Sequence, residues 1–188
     1  MIQGTYSAYD SEGRRKYLTL AEGKRFRRCV RRLPQEQACF CLTLYFTGMR
    51  ISEALALTAQ DVDFSTSVLR VRSLKKRAKK EFRRIPIPDS LLSALRKIVD
   101  PQPEGPLWTF SRSTAWRIVK HVMAEAEISG IHATAKGLRH GFGVRGAMAK
   151  VPLNLLQLWF GHSQATTTAI YLDVRDEEER ELMQRTWK

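Results

Sequence analysis

Cysteine is scarce in this 188-residue chain: Cys29, Cys39 and Cys41 are the only three. They are too few and wrongly spaced for a zinc site or a disulfide framework. Cys39 and Cys41 flank Phe40 within the apolar run 38–46 and are expected as small core residues. No stretch reaches eighteen uninterrupted apolar residues, and the N-terminus lacks a charged segment followed by an apolar one. That pattern argues against a membrane span and a secretory leader. The chain is therefore read as soluble and cytoplasmic, or nucleoid-associated in a prokaryote. No glycine-rich loop ends in Gly-Lys-Ser/Thr, so nucleotide hydrolysis has no support. His121, His132, His140 and His162 share no ligand spacing. Asp61 and Asp63, the close carboxylate pair, read as a turn. No metal and no cofactor are expected.

Acidic residues are also few, 19 against 32 Lys plus Arg, which gives a formal net charge of +13. An excess of this size on a folded domain favours a polyanionic partner, most often nucleic acid. Hydrophobic residues make up 43% of the chain, enough for one compact core.

Thr19 with Glu22 has capping-box spacing and opens a first helix carrying Arg25, Arg27 and Arg28. Pro34 ends it. A strongly apolar, central helix is expected over about 35–46, and a shorter one over 50–57 after the Thr47-Gly48 break. From Asp61 the period changes. Val68, Leu69 and Val71 alternate, and Ile85-Pro86-Ile87-Pro88 closes a matching stretch. These read as an antiparallel hairpin with a basic tip at 73–81, the returning strand at an edge because of its prolines. Asp89 or Ser90 is expected to cap a further helix with Leu91, Leu92, Leu95 and Ile98 inward. Residues 113–127 read as a helix with Trp116, Val119, Val122 and Met123 inward. A glycine-interrupted helix is expected over 138–149. Another begins at Pro152 and stops at Gly161, with Leu153, Leu155, Leu156, Leu158 and Trp159 making it apolar. The fold class is mainly α (α+β), with a small antiparallel β-sheet.

The residues left for chemistry are cations and one tyrosine. Arg50 follows Thr47-Gly48-Met49, with Glu53 three residues on and so on the same helix face. Lys136-Gly137-Leu138-Arg139-His140-Gly141 sets a Lys and an Arg three apart. Gly161-His162 precedes Tyr171 by nine residues. Each feature alone has a bland explanation: a surface charge, a helix cap, a packed aromatic.

In this order and spacing, the run from Thr47 to Leu57, the run from Lys136 to Gly141, and Gly161-His162 with Thr167-Thr168 and Tyr171 together resemble the catalytic domain of tyrosine recombinases, the phage integrase family. The resemblance covers about Leu18 to Val174, leaving 1–17 as a lead-in and 175–188 as an acidic tail. It implies a DNA-cleaving and -rejoining enzyme in which Arg50 and Arg139 hold the scissile phosphate and Tyr171 attacks it. The product is a 3′-phosphotyrosyl link and a free 5′ hydroxyl, with no metal or nucleotide required. A hairpin lysine protonates the leaving oxygen. Lys75 is favoured from its place beyond the strand, with Lys76 as the alternative, while Lys76, Arg77, Lys79 and Lys80 would touch the DNA backbone. Lys136 stands where the family usually has His. It is expected to orient the phosphate, sharing proton traffic from Tyr171 with His162.

The family's usual N-terminal core-binding domain has no counterpart in the seventeen residues before the first helix. The expectation is either a separately supplied partner segment or a minimal recombinase. The resemblance also implies a homotetramer on double-stranded DNA, with the tail docking on a neighbouring protomer. A type IB topoisomerase-like enzyme, and a DNA-binding regulator without catalysis, stay open as alternatives.

Overall fold

A computed structural model describes residues 7–73, 81–101, 104–162, 164, 166–172, 180, 183 and 184. The basic hairpin tip, with Lys75, Lys76, Arg77, Lys79 and Lys80, lies outside the described residues, as does most of the tail.

Helix α1 (Leu20–Val30) starts where the spacing requires, with the Thr19 hydroxyl accepting from the Glu22 amide and the Glu22 carboxylate accepting from the Thr19 amide. Glu22 does more than cap. It also binds the Arg15 guanidinium and His132 Nε2, pinning the lead-in and the segment around His132 to one helix end. Helix α2 (Gln35–Thr47) is apolar nearly all round and sits centrally, packed by α1 and by the later helices over 89–99 and 135–148. It ends at Gly48, which takes φ +60°. The short α3 (Ile51–Leu55) and a 3₁₀ turn (Ala59–Asp61) lead into the sheet.

The sheet has three antiparallel strands in the order β1 (Val62–Asp63), β2 (Val68–Arg72), β3 (Phe82–Pro86). Leu69 pairs with Ile85 and Val71 with Arg83. The proline-bearing β3 is at the edge, as expected, and β1 is an additional strand that the composition did not announce. Asp61 and Asp63 form turns: Asp61 accepts from the Thr58 amide, and Asp63 from Ser65 and Thr66. Helices α4 (Asp89–Val99), α5 (Arg112–Glu125), α6 (Ala135–Met148), α7 (Leu153–Phe160) and α8 (Thr166–Ala169) follow, with a 3₁₀ turn (Ile170–Leu172) carrying Tyr171. Among the described residues, no helix is long and apolar enough to cross a membrane.

Among the described residues, two apolar clusters result. The larger joins α1–α5 and the sheet around Phe26, Phe40, Leu44 and Leu69. The smaller gathers Ala8, Tyr17, Val144, Leu156, Phe160 and Tyr171. The lead-in is thus partly core: Tyr17 is fully buried, and an isolated bridge pairs Tyr9 with Arg15.

Several sequence expectations need correction. Trp116 faces out, 54% exposed, because the buried stripe of α5 runs through Ala115, Ile118, Val119, Val122 and Met123. Helix α7 is apolar as expected, and of its residues Leu156 and Phe160 enter the core while Leu155 and Leu158, the latter also 54% exposed, face solvent. Pro88 and Pro152 occupy the N-cap positions of α4 and α7, with no side-chain cap from Asp89 or Ser90. Helix α6 begins at Ala135, capped by the Thr134 hydroxyl, which brings Lys136 into its first turn.

Candidate active site

The sequence-predicted cations and tyrosine within the described residues converge. Arg50, Lys136, Arg139, His140, His162 and Tyr171 line one cleft of about 640 Å³, with Lys16 and Arg112 on its wall. Four elements supply them: the α2–α3 junction, α6, the end of α7, and the last 3₁₀ turn.

Arg139 is the hub. Its Nη1 donates to the Gly48 carbonyl at 2.7 Å and its Nη2 to the Phe160 carbonyl at 2.9 Å, so one guanidinium ties the end of α2 to the end of α7. Nη2 also lies 2.9 Å from His162 Nε2. A guanidinium only donates, so Nε2 accepts, and the ring proton sits on Nδ1, which faces Thr168 Oγ1 at 2.9 Å. His162 is therefore a neutral imidazole of defined tautomer. Burial, and then the like charge of Arg50, lower the Arg139 pKa to about 9, so it stays cationic at neutral pH.

Arg50 is held by Glu53, as the three-residue spacing predicts. The carboxylate accepts from the Arg50 amide and from its Nη1, both at 2.9 Å. Glu53 is itself only 2% exposed and is also bound by Arg83 from β3. Sequence reading gave Arg83 no role. The signal available was a charged residue at an inward position of an alternating strand. Burial alone would raise the Glu53 pKa, but the Arg83 hydrogen bond and charge, then the Arg50 amide and charge, hold it below the ordinary carboxylate value.

Tyr171 is 1% exposed, with its ring stacked on Phe160 and its Cδ2 beside the bare Gly143 backbone. Burial pushes its phenol up to about 12, against the opposing charges of Arg139 and Arg50. Its hydroxyl lies 3.1 Å from His140 Nδ1. Sequence reading passed over His140 as a residue of the second motif. Burial first, then the charges of Lys136, Arg139 and Lys16, lower the His140 pKa to about 4, so the ring facing the phenol is neutral. Among the described residues, no group of His, Cys, Asp and Glu is arranged to hold a metal ion.

The chain is 29% identical over 181 residues to tyrosine recombinase XerA of Pyrococcus furiosus, covering 90% of this chain and 61% of the relative. It is 33% identical over 144 residues to a tyrosine recombinase of Thermosipho africanus, covering 72% of this chain and 48% of the relative. The chain thus spans about half to three fifths of the lengths of these relatives. Among solved structures, a crystal structure of XerA recombinase matches with a TM-score of 0.79 at 25% identity, covering 90% of this chain and 64% of that one. The catalytic domain of bacteriophage HP1 integrase matches in fold, with a TM-score of 0.66 at 23% identity, covering 89% of this chain and 93% of that one. The model of the phage integrase family matches residues 16–178, and the chain belongs to that family.

Proposed function

We propose that the chain is the catalytic domain of a site-specific DNA recombinase that cleaves and rejoins strands through a 3′-phosphotyrosyl intermediate. The observation that carries this reading is the meeting of two guanidinium groups, an ammonium and a phenol in one cleft. A phosphodiester under attack gathers charge on its non-bridging oxygens, and two Arg forks stabilise that charge where it develops. Arg50 and Arg139 take that role, with Lys136 adding charge at the start of α6.

Tyr171 Oη forms the bond to phosphorus as the bond to the 5′ oxygen breaks. The phenolic proton passes to the neutral imidazole side of the cleft, where His140 is its hydrogen-bond partner. The 5′ oxygen takes a proton from the hairpin lysine, Lys75 or Lys76. The bond energy stays in the phosphotyrosyl link, so the religating 5′ hydroxyl needs no nucleotide. His162, with both ring nitrogens occupied by Arg139 and Thr168, serves to orient Arg139.

Double-stranded DNA is the substrate this charge distribution suits, and the cytoplasm is where such a domain would meet it. A tetramer on DNA is the expected working form, and the exposed Leu155 and Leu158 on α7 support a protein contact there. The deciding experiment offers the protein a nicked duplex bearing a candidate site, in EDTA. A covalent adduct with the wild type and none with Tyr171→Phe supports the enzyme. A DNA shift without adduct supports a binding protein of the same fold.

A further inference from the structure

The phosphate site contains a buried acid that ought to weaken it. Glu53 lies against Arg50, and a lone carboxylate there would cancel the charge Arg50 offers to DNA. Arg83 removes that conflict. Its Nη2 binds Glu53 Oε2 at 2.7 Å and its Nη1 lies 3.3 Å from Oε1, a bidentate grip made at 5% and 1% side-chain exposure. Its Nε donates to the Trp159 carbonyl at 2.7 Å, next to the Phe160 carbonyl that receives Arg139. The close passage of its side chain is what Gly161 permits, since a Cβ there would stand 3.2 Å from Nη1.

We infer that Arg83 is a positioning residue for the phosphate site: by neutralising and orienting Glu53, it leaves the Arg50 charge free to act on the scissile phosphate. The inference rests on the recombinase reading above. A three-membered set, one carboxylate between two guanidinium groups, carries one net positive charge, and only Arg50, at 27% side-chain exposure, can present it to the cleft. Without Arg83 the remaining pair is neutral, and the carboxylate draws Arg50 inward. A lysine cannot replace it fully, because three donors in a fixed plane serve Glu53 and Trp159 at once.

The test measures single-turnover adduct formation on the nicked duplex, with folding of each variant followed by thermal melting. Arg83→Met should slow the reaction by roughly 100-fold, since it leaves a buried carboxylate to Arg50 alone. The double variant R83M/E53Q should recover at least about tenfold of that loss, because the neutral amide no longer competes for Arg50. Arg83→Lys, which keeps the charge but not the fork, should fall between wild type and R83M. A purely architectural role moves differently: R83M/E53Q then reacts no faster than a folded R83M, and that result overturns the inference, as does a fully active R83M. Should R83M fail to fold, the comparison of R83K with R83K/E53Q decides on the same criterion. Absence of adduct with the wild type would instead remove the recombinase reading itself.

Discussion

The Tyr171 ring rests on the backbone of Gly143, so closely that a methyl group added there would stand 2.5 Å from the ring Cδ2. The glycine in the middle of α6 is thus a seat for the residue we assign as nucleophile. Gly143→Ala favours the helix locally, by about 1 kcal/mol, but forces the ring outward. The expected result is a folded protein with nearly unchanged DNA affinity and an adduct rate lowered by roughly 100-fold. Equal adduct rates for G143A and wild type would mean that the ring position in the free protein does not matter to attack.

The acid limb of stability should report the Glu22 junction. Burial alone would raise its pKa, yet the hydrogen bonds from His132, Arg15 and the Thr19 amide hold it well below the ordinary 4.5. A carboxylate with a depressed folded pKa stabilises the protein above its unfolded pKa, and that stability is lost as pH falls below about 4.5. Glu22→Gln should lower stability at pH 7 by about 2 kcal/mol and flatten the dependence below pH 4.5. Urea unfolding between pH 7 and pH 3 measures both, and an unflattened slope counts against the junction.

His140 should give a second, higher window. Its folded pKa is about 4 against an ordinary 6.5, lowered by burial and then by Lys136, Arg139 and Lys16. Between those values the unfolded chain binds the extra proton, so stability is complete above pH 6.5 and falls by about 3 kcal/mol as pH drops to 4. His140→Asn, which keeps a hydrogen-bond acceptor near the Nδ1 position without titrating, should remove this slope. It should also slow adduct formation if the phenol gives its proton to the imidazole. A variant with wild-type slope would place the titration elsewhere.

Much of the fold was legible because it rests on local rules. The Thr19–Glu22 box, the proline-marked edge strand and the Gly161 stop are decided within a few residues of sequence. Trp116 is expected inward because apolar side chains usually are, but the helix face presented to the core is set by what packs on it. The order of motifs singles out Arg50, Lys136, Arg139, His162 and Tyr171, and these side chains line one cleft. What the order could not show is the layer beneath: Arg83 reaches Glu53 across 30 residues of chain, and Tyr17 enters the Tyr171 cluster from the lead-in. Such pairings depend on the register of β3 and the course of the lead-in, neither of which is written in local spacing.

Thr168 offers the sharpest test of how Arg139 is aimed. It is fully buried, and its hydroxyl faces His162 Nδ1, the nitrogen that carries the ring proton. Thr168→Val preserves shape but strands that N–H, a penalty of about 1–3 kcal/mol that the ring can escape by moving its proton to Nε2. The escape sets a proton against Arg139 Nη2, which sits 2.9 Å away, and turns an acceptor into a repelling donor. Adduct formation should then fall by roughly 10- to 100-fold while DNA affinity changes little. Thr168→Ser keeps the hydroxyl and should react close to the wild-type rate. Indistinguishable rates for the valine and serine variants would mean that the tautomer of His162 is held by something other than this bond.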